Sequence, residues 1–227
     1  MKVLIIIPAY NEGENIERVV TTIKQNCPQY DYLVINDGSR DNTEEICIKK
    51  GYHFVSHPIN LGLAAAVQTG MIYAYKNGYD AAIQFDGDGQ HDPNYIKKMA
   101  DETEKGSNIV IGSRFVDEKK PKSLRMLGSN LIQFAIKITT GKTIKDPTSG
   151  MRMFDSEMIK KLAFAADLGP EPDTVALLVR AGASVKEIQV EMHDRTAGES
   201  YLNFANSVNY MLRMFASILV LQWFRKE

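Results

Sequence analysis

The chain has 227 residues, 44% of them hydrophobic, enough for a sizeable core, and one large domain is the economical expectation. Lysine plus arginine total 27 against 28 aspartates and glutamates, so a formal net charge of -1 argues against nucleic acid as a partner and makes any anion site local. Cys27 and Cys47 lack CxxC or Cys/His ligand spacing, which argues against a zinc site and suits a reducing compartment.

The opening apolar run, Lys2 to Ile7, is too short for a signal peptide and stops at Pro8, so it reads as a buried strand. Further short β-branched or aromatic runs follow at Asp31 to Asp37, Tyr52 to Ser56, Ala81 to Asp86 and Asn108 to Ser113. Helical patterns alternate with them over Glu14 to Gln25, Asp41 to Lys50, Leu63 to Asn77 and Pro93 to Lys105, the last with Asp92 as N-cap and Pro93 at its first position. Residues 114–123 are charged and proline-bearing and read as a mobile loop. A helix over Leu124 to Thr140, a turn and strand through "DPTSGMRMF", helices over Ser156 to Ala165 and Pro172 to Ala181, and a strand "SVKEIQVEM" complete the pattern. Alternating strands and helices predict an α/β fold with a mostly parallel central sheet flanked by helices.

The chemistry-bearing residues fall where strands end, the border of the ligand crevice in an open parallel sheet. After the first strand comes "PAYNEGEN" instead of GxGxxG, which argues against a nicotinamide enzyme. Tyr10, Asn11 and Glu12 offer an aromatic face and hydrogen-bonding groups suited to a planar base, or simply a turn. Asp37 closes the second strand upstream of the residues that cap the next helix, and a carboxylate there can accept from a uracil or a guanine. In "IQFDGDGQHDP", Asp86 and Asp88 are two apart at a strand end, where both can turn toward one hard cation. An EF-hand loop begins similarly, but its sixth position is His91 instead of glycine and its twelfth is Lys97 instead of glutamate.

"PAYNE", "NDGS", "FDGDGQHDP", "GSR", "DPTSGMR" and "RTAGES", in this order and spacing, resemble family 2 glycosyltransferases of the GT-A fold, particularly the dolichyl-phosphate mannose synthase and polyprenyl-phosphate glycosyltransferase branch. The resemblance spans essentially the whole chain. It implies that Asp86 and Asp88 form a DxD motif placing Mg²⁺ or Mn²⁺ against the diphosphate of a nucleotide sugar. It also implies that Pro8, Tyr10, Glu12 and Asp37 line the nucleotide base, and that Gln90 lies beside the sugar and acceptor. Arg114, Arg125 and Ser129 match acceptor-phosphate positions, where guanidiniums make good phosphate clamps. Arg195 and Ser200 match the donor-phosphate loop, although the basic residue often found after that serine is Tyr201 here. Arg152 serves either a phosphate or the structure. For a sugar-hydroxyl acceptor, Glu171 or Asp173 is the candidate base; for a phosphate acceptor no base is needed, and Asp173 takes a positioning role.

The segment from Tyr201 to Glu227 carries no charge between Arg213 and Arg225, and those eleven residues are too few to span a membrane. With Trp223 and Phe224 beside Arg225 and Lys226, residues 202–227 read as an amphipathic, membrane-interfacial helix appended to a catalytic domain of residues 1–201, with a core or dimer helix as the alternative. The expected activity is inverting transfer of a sugar, with UDP-glucose or UDP-GlcNAc as donor, to a polyprenyl phosphate for cell-envelope polysaccharide. The expected place is the inner face of the cytoplasmic membrane, with room for a small membrane-protein partner or a homo-oligomer. The alternatives are a transferase acting on a saccharide hydroxyl with Asp173 as base and a noncatalytic nucleotide-sugar-binding protein.

Overall fold

The computed structural model describes residues 1–165, 168–192 and 204–220, the side chains of residues 124, 125 and 204–208 excepted. Strand β1 (Val3–Ala9) pairs in parallel with β2 (Asp31–Asn36) on one side and β4 (Ala81–Gln84) on the other, and β3 (Phe54–Ser56) extends the β2 edge. Beyond β4 comes β6 (Arg152–Asp155), antiparallel to both β4 and β5 (Ile109–Ser113), and β7 (Val185–Gln189) pairs in parallel with β5. The sheet order is β3-β2-β1-β4-β6-β5-β7. This is the expected mostly parallel α/β sheet, with one reversed strand. Alternation of strands and helices counts elements without giving direction, and the long connection from β5 to β6 allows the reversal.

Helices α1 (Ile16–Asn26), α2 (Thr43–Lys50) and α4 (Asn94–Glu104) cover one face of the sheet. The other face carries α3 (Leu63–Lys76), α5 (Leu124–Thr140), α6 (Ser156–Phe164), α7 (Pro172–Arg180) and α8 (Phe204–Leu219). Leu4 and Ile6 of β1 pack into the second layer, and Val3, Ile5 and Ile7 into the first. That two-sided burial explains a continuous apolar run where a half-exposed strand alternates. Gly70 brings α3 directly onto β1, since a Cβ there would lie 2.4 Å from a methyl of Ile6.

Helix starts follow local side-chain acceptors. Asp92 Oδ1 accepts from Asn94 N at 2.9 Å, so the expected acid serves the start of α4, but the cap position itself is Pro93 and the helix begins one residue later. Ser123 and Asp155 cap α5 and α6 by accepting from Met126 N and Met158 N. Helix α8 packs against α5 and α7 and buries Met214, Ser217 and Ile218. Gly128 of α5 makes the approach close enough that a Cβ would fall 1.5 Å from Met211 Sδ. Among the described residues no helix is long and apolar enough to cross a membrane. Trp223, Phe224, Arg225 and Lys226 lie outside the described residues.

Candidate active site

Because β2 and β4 flank β1, the carboxyl ends of β1 and β4 lie where the strand order reverses, the place at which open α/β sheets bind ligands. Pro8 is buried opposite Ile35, while the Tyr10 ring is 41% exposed just beyond the strand. The loop after β1 is stitched to the loop after β2. Asn11, at φ 55°, donates its N–H to Ser39 Oγ at 3.0 Å and accepts from Arg40 N at 2.8 Å. Glu12 N donates to Thr43 Oγ1 and Gly13 N to Asp41 Oδ2, each at 2.9 Å, and the Glu12 carboxylate accepts from Asn15 Nδ2 at 2.8 Å. Burial alone would raise the Asp41 carboxyl, but hydrogen bonds from the Thr43 hydroxyl and the amides of Gly13 and Thr43 outweigh it and hold the carboxyl below its usual range.

Asp37 is buried and heavily engaged. Its Oδ1 pairs with His57 Nδ1 at 2.7 Å and accepts from Leu61 N at 2.9 Å, and its Oδ2 accepts from Gly62 N at 2.7 Å. The structure therefore gives this carboxylate to the loop leading into α3. His57 extends the link, its Nε2 lying 2.9 Å from Thr69 Oγ1.

Past the end of β4, Gln84 Nε2 donates to Asp86 Oδ1 at 3.0 Å, and Asp86 N donates to His91 Nδ1 at 3.0 Å. The second bond leaves the His91 proton on Nε2, 3.5 Å from Asp86 Oδ2. His91 is itself buried, edge-on to Phe85. Asp88 Oδ1 accepts from Gln90 N at 3.0 Å, folding the turn back on itself. The glycines set clearances. Gly87 passes over Pro8 O with 2.9 Å to a would-be Cβ, Gly89 at φ +77° lies against the Arg18 guanidinium, and Gly150 leaves only 2.6 Å between a would-be Cβ and Asp86 Oδ2.

Asp86 keeps 32% of its side chain accessible and Asp88 is partly exposed. Among the described residues no group of three or more histidine, cysteine or acidic side chains is poised to hold a metal. Two partly exposed oxygen-donor carboxylates fit a hard divalent ion that completes its shell with phosphate oxygens and water, rather than an all-protein cage. Glycine at 150 keeps a side chain off Asp86 Oδ2.

A second polar cluster surrounds Arg114. Its Nε and Nη2 donate to Asp146 Oδ2 and Oδ1 at 2.7 and 2.8 Å, a bidentate pair in which Asp146 is fully buried. Ser129 is buried on α5 and accepts from Lys120 Nζ at 3.2 Å, and the same ammonium donates to Gln133 Oε1 at 3.0 Å. Glu187 accepts from the amides of Lys145 and Asp146 and fixes the turn that presents Asp146. This turn, residues 146–150, joins the two clusters: Asp146 grips Arg114 at one end and Gly150 abuts Asp86 at the other.

Arg152 is entirely buried and donates to Pro147 O and Pro170 O, each at 2.7 Å, so it holds the backbone on either side. Burial lowers its pKa, opposed by Tyr210, Glu171, Asp146 and Asp86. Glu171 accepts from the Tyr210 hydroxyl of α8. Burial pushes that phenol up, and the Glu171 charge adds to the effect. Asp173 is buried, accepting from Thr174 N at 2.9 Å and from Ser217 Oγ of α8 at 2.6 Å. Both acids of "GPEPDT" are therefore committed to the seam between α7 and α8.

The structure thus brings Asp86, Asp88 and Gln90 together with the end of β1, and Arg114 together with Ser129, while it places Asp173 in a helix seam. The backbone of Arg125 lies in the first turn of α5, its side chain outside the described ones; Arg195 and Ser200 lie outside the described residues. Lys120, Asp146, Gly150 and Gln84 join the site without having been singled out from sequence. Gln84, two residues before Asp86 on the same face of its strand, was the one with a readable signal.

The sheet is an open α/β one, with a carboxylate pair at its switch point and a basic cluster joined to it by the 146–150 turn. Residues 4–163 match Glycosyl transferase family 2, and the chain belongs to that family; it is a glycosyltransferase of the polyprenyl-phosphate branch. It is 27% identical over 226 residues to polyprenol monophosphomannose synthase of Mycolicibacterium smegmatis, covering 94% of this chain and 85% of that one. It is 31% identical over 182 residues to UDP-N-acetylglucosamine--dolichyl-phosphate N-acetylglucosaminyltransferase of Methanococcus voltae, covering 71% and 72%. Glucosyl-3-phosphoglycerate synthase of Mycobacterium tuberculosis, solved with Mn²⁺, UDP and glucosyl-3-phosphoglycerate, shares the fold at a TM-score of 0.65 and 18% identity, over 100% of this chain and 81% of that one.

Proposed function

We propose that the chain transfers a sugar from a nucleotide diphosphate sugar to a polyprenyl phosphate with inversion at the anomeric carbon. The observation that supports this reading is the 146–150 turn, which touches Asp86 at one end and Arg114 at the other, so that a donor diphosphate and an acceptor phosphate would be positioned from one element. Asp86 and Asp88 would hold Mg²⁺ or Mn²⁺. Bound there, the ion supplies Lewis-acid stabilisation to the charge that grows on the departing diphosphate. Tyr10 and Glu12 border the nucleotide, Gln90 the sugar, and Arg114 orients the acceptor phosphate so that its oxygen attacks in line as the glycosidic bond breaks. A phosphate acceptor near neutral pH is already an anion, so no side chain has to remove a proton. The engagement of Asp173 by Ser217 and Thr174 supports a phosphate acceptor over a saccharide hydroxyl. For the donor we propose UDP-GlcNAc or UDP-glucose, the former supported by the name of the Methanococcus relative.

Association with the inner face of the cytoplasmic membrane is part of the same proposal. On α5, Leu127, Leu131, Phe134 and Ile138 form an exposed apolar stripe at helical spacing. Residues 119–145 carry seven basic and no acidic side chains in a chain of net charge -1, a distribution suited to an anionic lipid surface.

The test is transfer of radiolabelled sugar from UDP- and GDP-sugars to undecaprenyl phosphate, with Mg²⁺, Mn²⁺ or EDTA. A lipid product that EDTA abolishes is expected. Bound donor without labelled lipid under any metal would overturn the acceptor assignment.

A further inference from the structure

We infer that Lys120 binds the phosphate monoester of the acceptor, forming with Arg114 a pair of cations arranged around Phe115. The inference rests on the polyprenyl-phosphate reading and extends it to a residue outside the family motifs.

The ammonium is half-buried in the loop between β5 and α5, and its two hydrogen-bond partners, Ser129 Oγ at 3.2 Å and Gln133 Oε1 at 3.0 Å, are both uncharged. Among the described residues, no carboxylate forms an ion pair with it: Asp146 is engaged bidentately by Arg114, and Glu187 accepts from the amides of Lys145 and Asp146. A buried charge without an opposite charge in contact is costly, and a loop staple made only to neutral oxygens needs no charge. Lys120 Nζ and Arg114 Cζ lie 5.7 and 5.1 Å from the centroid of the same Phe115 ring, and the Arg114 charge acts on Lys120. Each retains a donor: one N–H of the ammonium, and Nη1 of Arg114 among the described residues. A phosphate monoester that accepts from both remaining donors supplies the anion in contact that Lys120 lacks. Burial lowers the Lys120 pKa, opposed by the charges of Asp146 and Glu187, and the Arg114 charge adds the smallest of these effects, so desolvation is the cost that an anion in contact would offset.

Lys120→Met and Lys120→Arg are compared with the wild type in transfer to undecaprenyl phosphate in detergent micelles. Loss of one charge-assisted hydrogen bond corresponds to a roughly ten- to hundredfold rise in KM for the lipid in Lys120→Met. The KM for the nucleotide sugar and the melting temperature should stay near wild type, and Lys120→Arg should recover most of the lipid affinity. Wild-type lipid KM should climb at alkaline pH as the ammonium loses its proton, and Lys120→Arg should flatten that climb. A lipid KM within twofold of wild type in Lys120→Met, or an equal rise in both KM values, overturns the inference. If the wild type itself labels no lipid, the acceptor reading fails, and calorimetric titration with inorganic phosphate then decides separately. Binding to wild type that Lys120→Met abolishes supports the cation pair, whereas equal or absent binding overturns it.

Discussion

Gly150→Ala isolates the geometry of the Asp86 site from the stability of the fold. Gly150 does not adopt a positive φ, so alanine meets no backbone strain there. Its Cβ, however, would lie 2.6 Å from Asp86 Oδ2 and needs 3.4 Å for ordinary contact, so the carboxylate must retreat by about 0.8 Å. The obstructing atom is the tip of a partly exposed side chain, so the retreat costs little stability, and the melting temperature should change by no more than a few degrees. Catalysis is less tolerant, because carboxylate–metal distances vary by only about 0.2 Å and a misplacement near 1 Å costs on the order of a hundredfold. The retreat also strains the 3.0 Å bond that Asp86 Oδ1 accepts from Gln84 Nε2. Transfer rate measured against Mn²⁺ concentration should show a metal requirement shifted upward by at least tenfold. A Gly150→Ala enzyme with wild-type metal activation and turnover would refute the assignment of Asp86 as a metal ligand.

Ser217→Ala leaves Asp173 Oδ2 without its 2.6 Å donor and should cost about 1–3 kcal/mol in urea unfolding while turnover per folded molecule is retained. Asp173→Asn should likewise keep measurable lipid transfer, and its complete inactivation with a native melting curve would restore Asp173 as a base. Cys27 and Cys47 are buried, with burial pushing each thiol up to about 11, so maleimide at pH 8 should label the chain only after denaturation. Asp41, its carboxyl held below the usual range, contributes stability that is present above its unfolded-state pKa and lost as pH falls through the lower folded value. Asp41→Asn should therefore flatten the acid limb of a stability-versus-pH curve, visible in melting temperatures between about pH 5 and pH 2.

The sheet was legible because β1, β2 and β4 are buried on both faces and show it as apolar runs, and because the helix after β4 begins at a polar acceptor, Asp92. The direction of β6 was not, since it depends on how the chain turns through residues 141–151 and leaves no mark on the pattern within Arg152–Asp155. The DGDG turn announced itself because a short segment carries all its parts. Of the Arg114 cluster, the family resemblance pointed to Arg114 and Ser129, but Lys120, Gln133, Asp146 and Glu187 carried no signal because they come from separate positions and meet only in the fold. His57 is a similar case: its meaning depends on Asp37, twenty residues earlier, and on Thr69.

A strand-end acid looks the same in sequence whether it serves the fold or a ligand, and the difference lies in how many of its lone pairs the protein already uses. Asp37 takes three donors in a buried setting, Asp146 takes a bidentate guanidinium at zero exposure, and Asp173 joins two helices. These carboxylates shape loops. Asp86 is different, since the chain steers one oxygen through Gln84, clears space before the other with Gly150, and leaves a third of the side chain accessible. A carboxylate oriented but not consumed is arranged for a partner that arrives from outside, and the same logic applied to cations separates Arg152, whose guanidinium is given to Pro147 and Pro170, from Lys120, whose charge meets only neutral oxygens. On that reasoning we place the proposed transfer at Asp86 and Lys120, whose neighbours the 146–150 turn ties together.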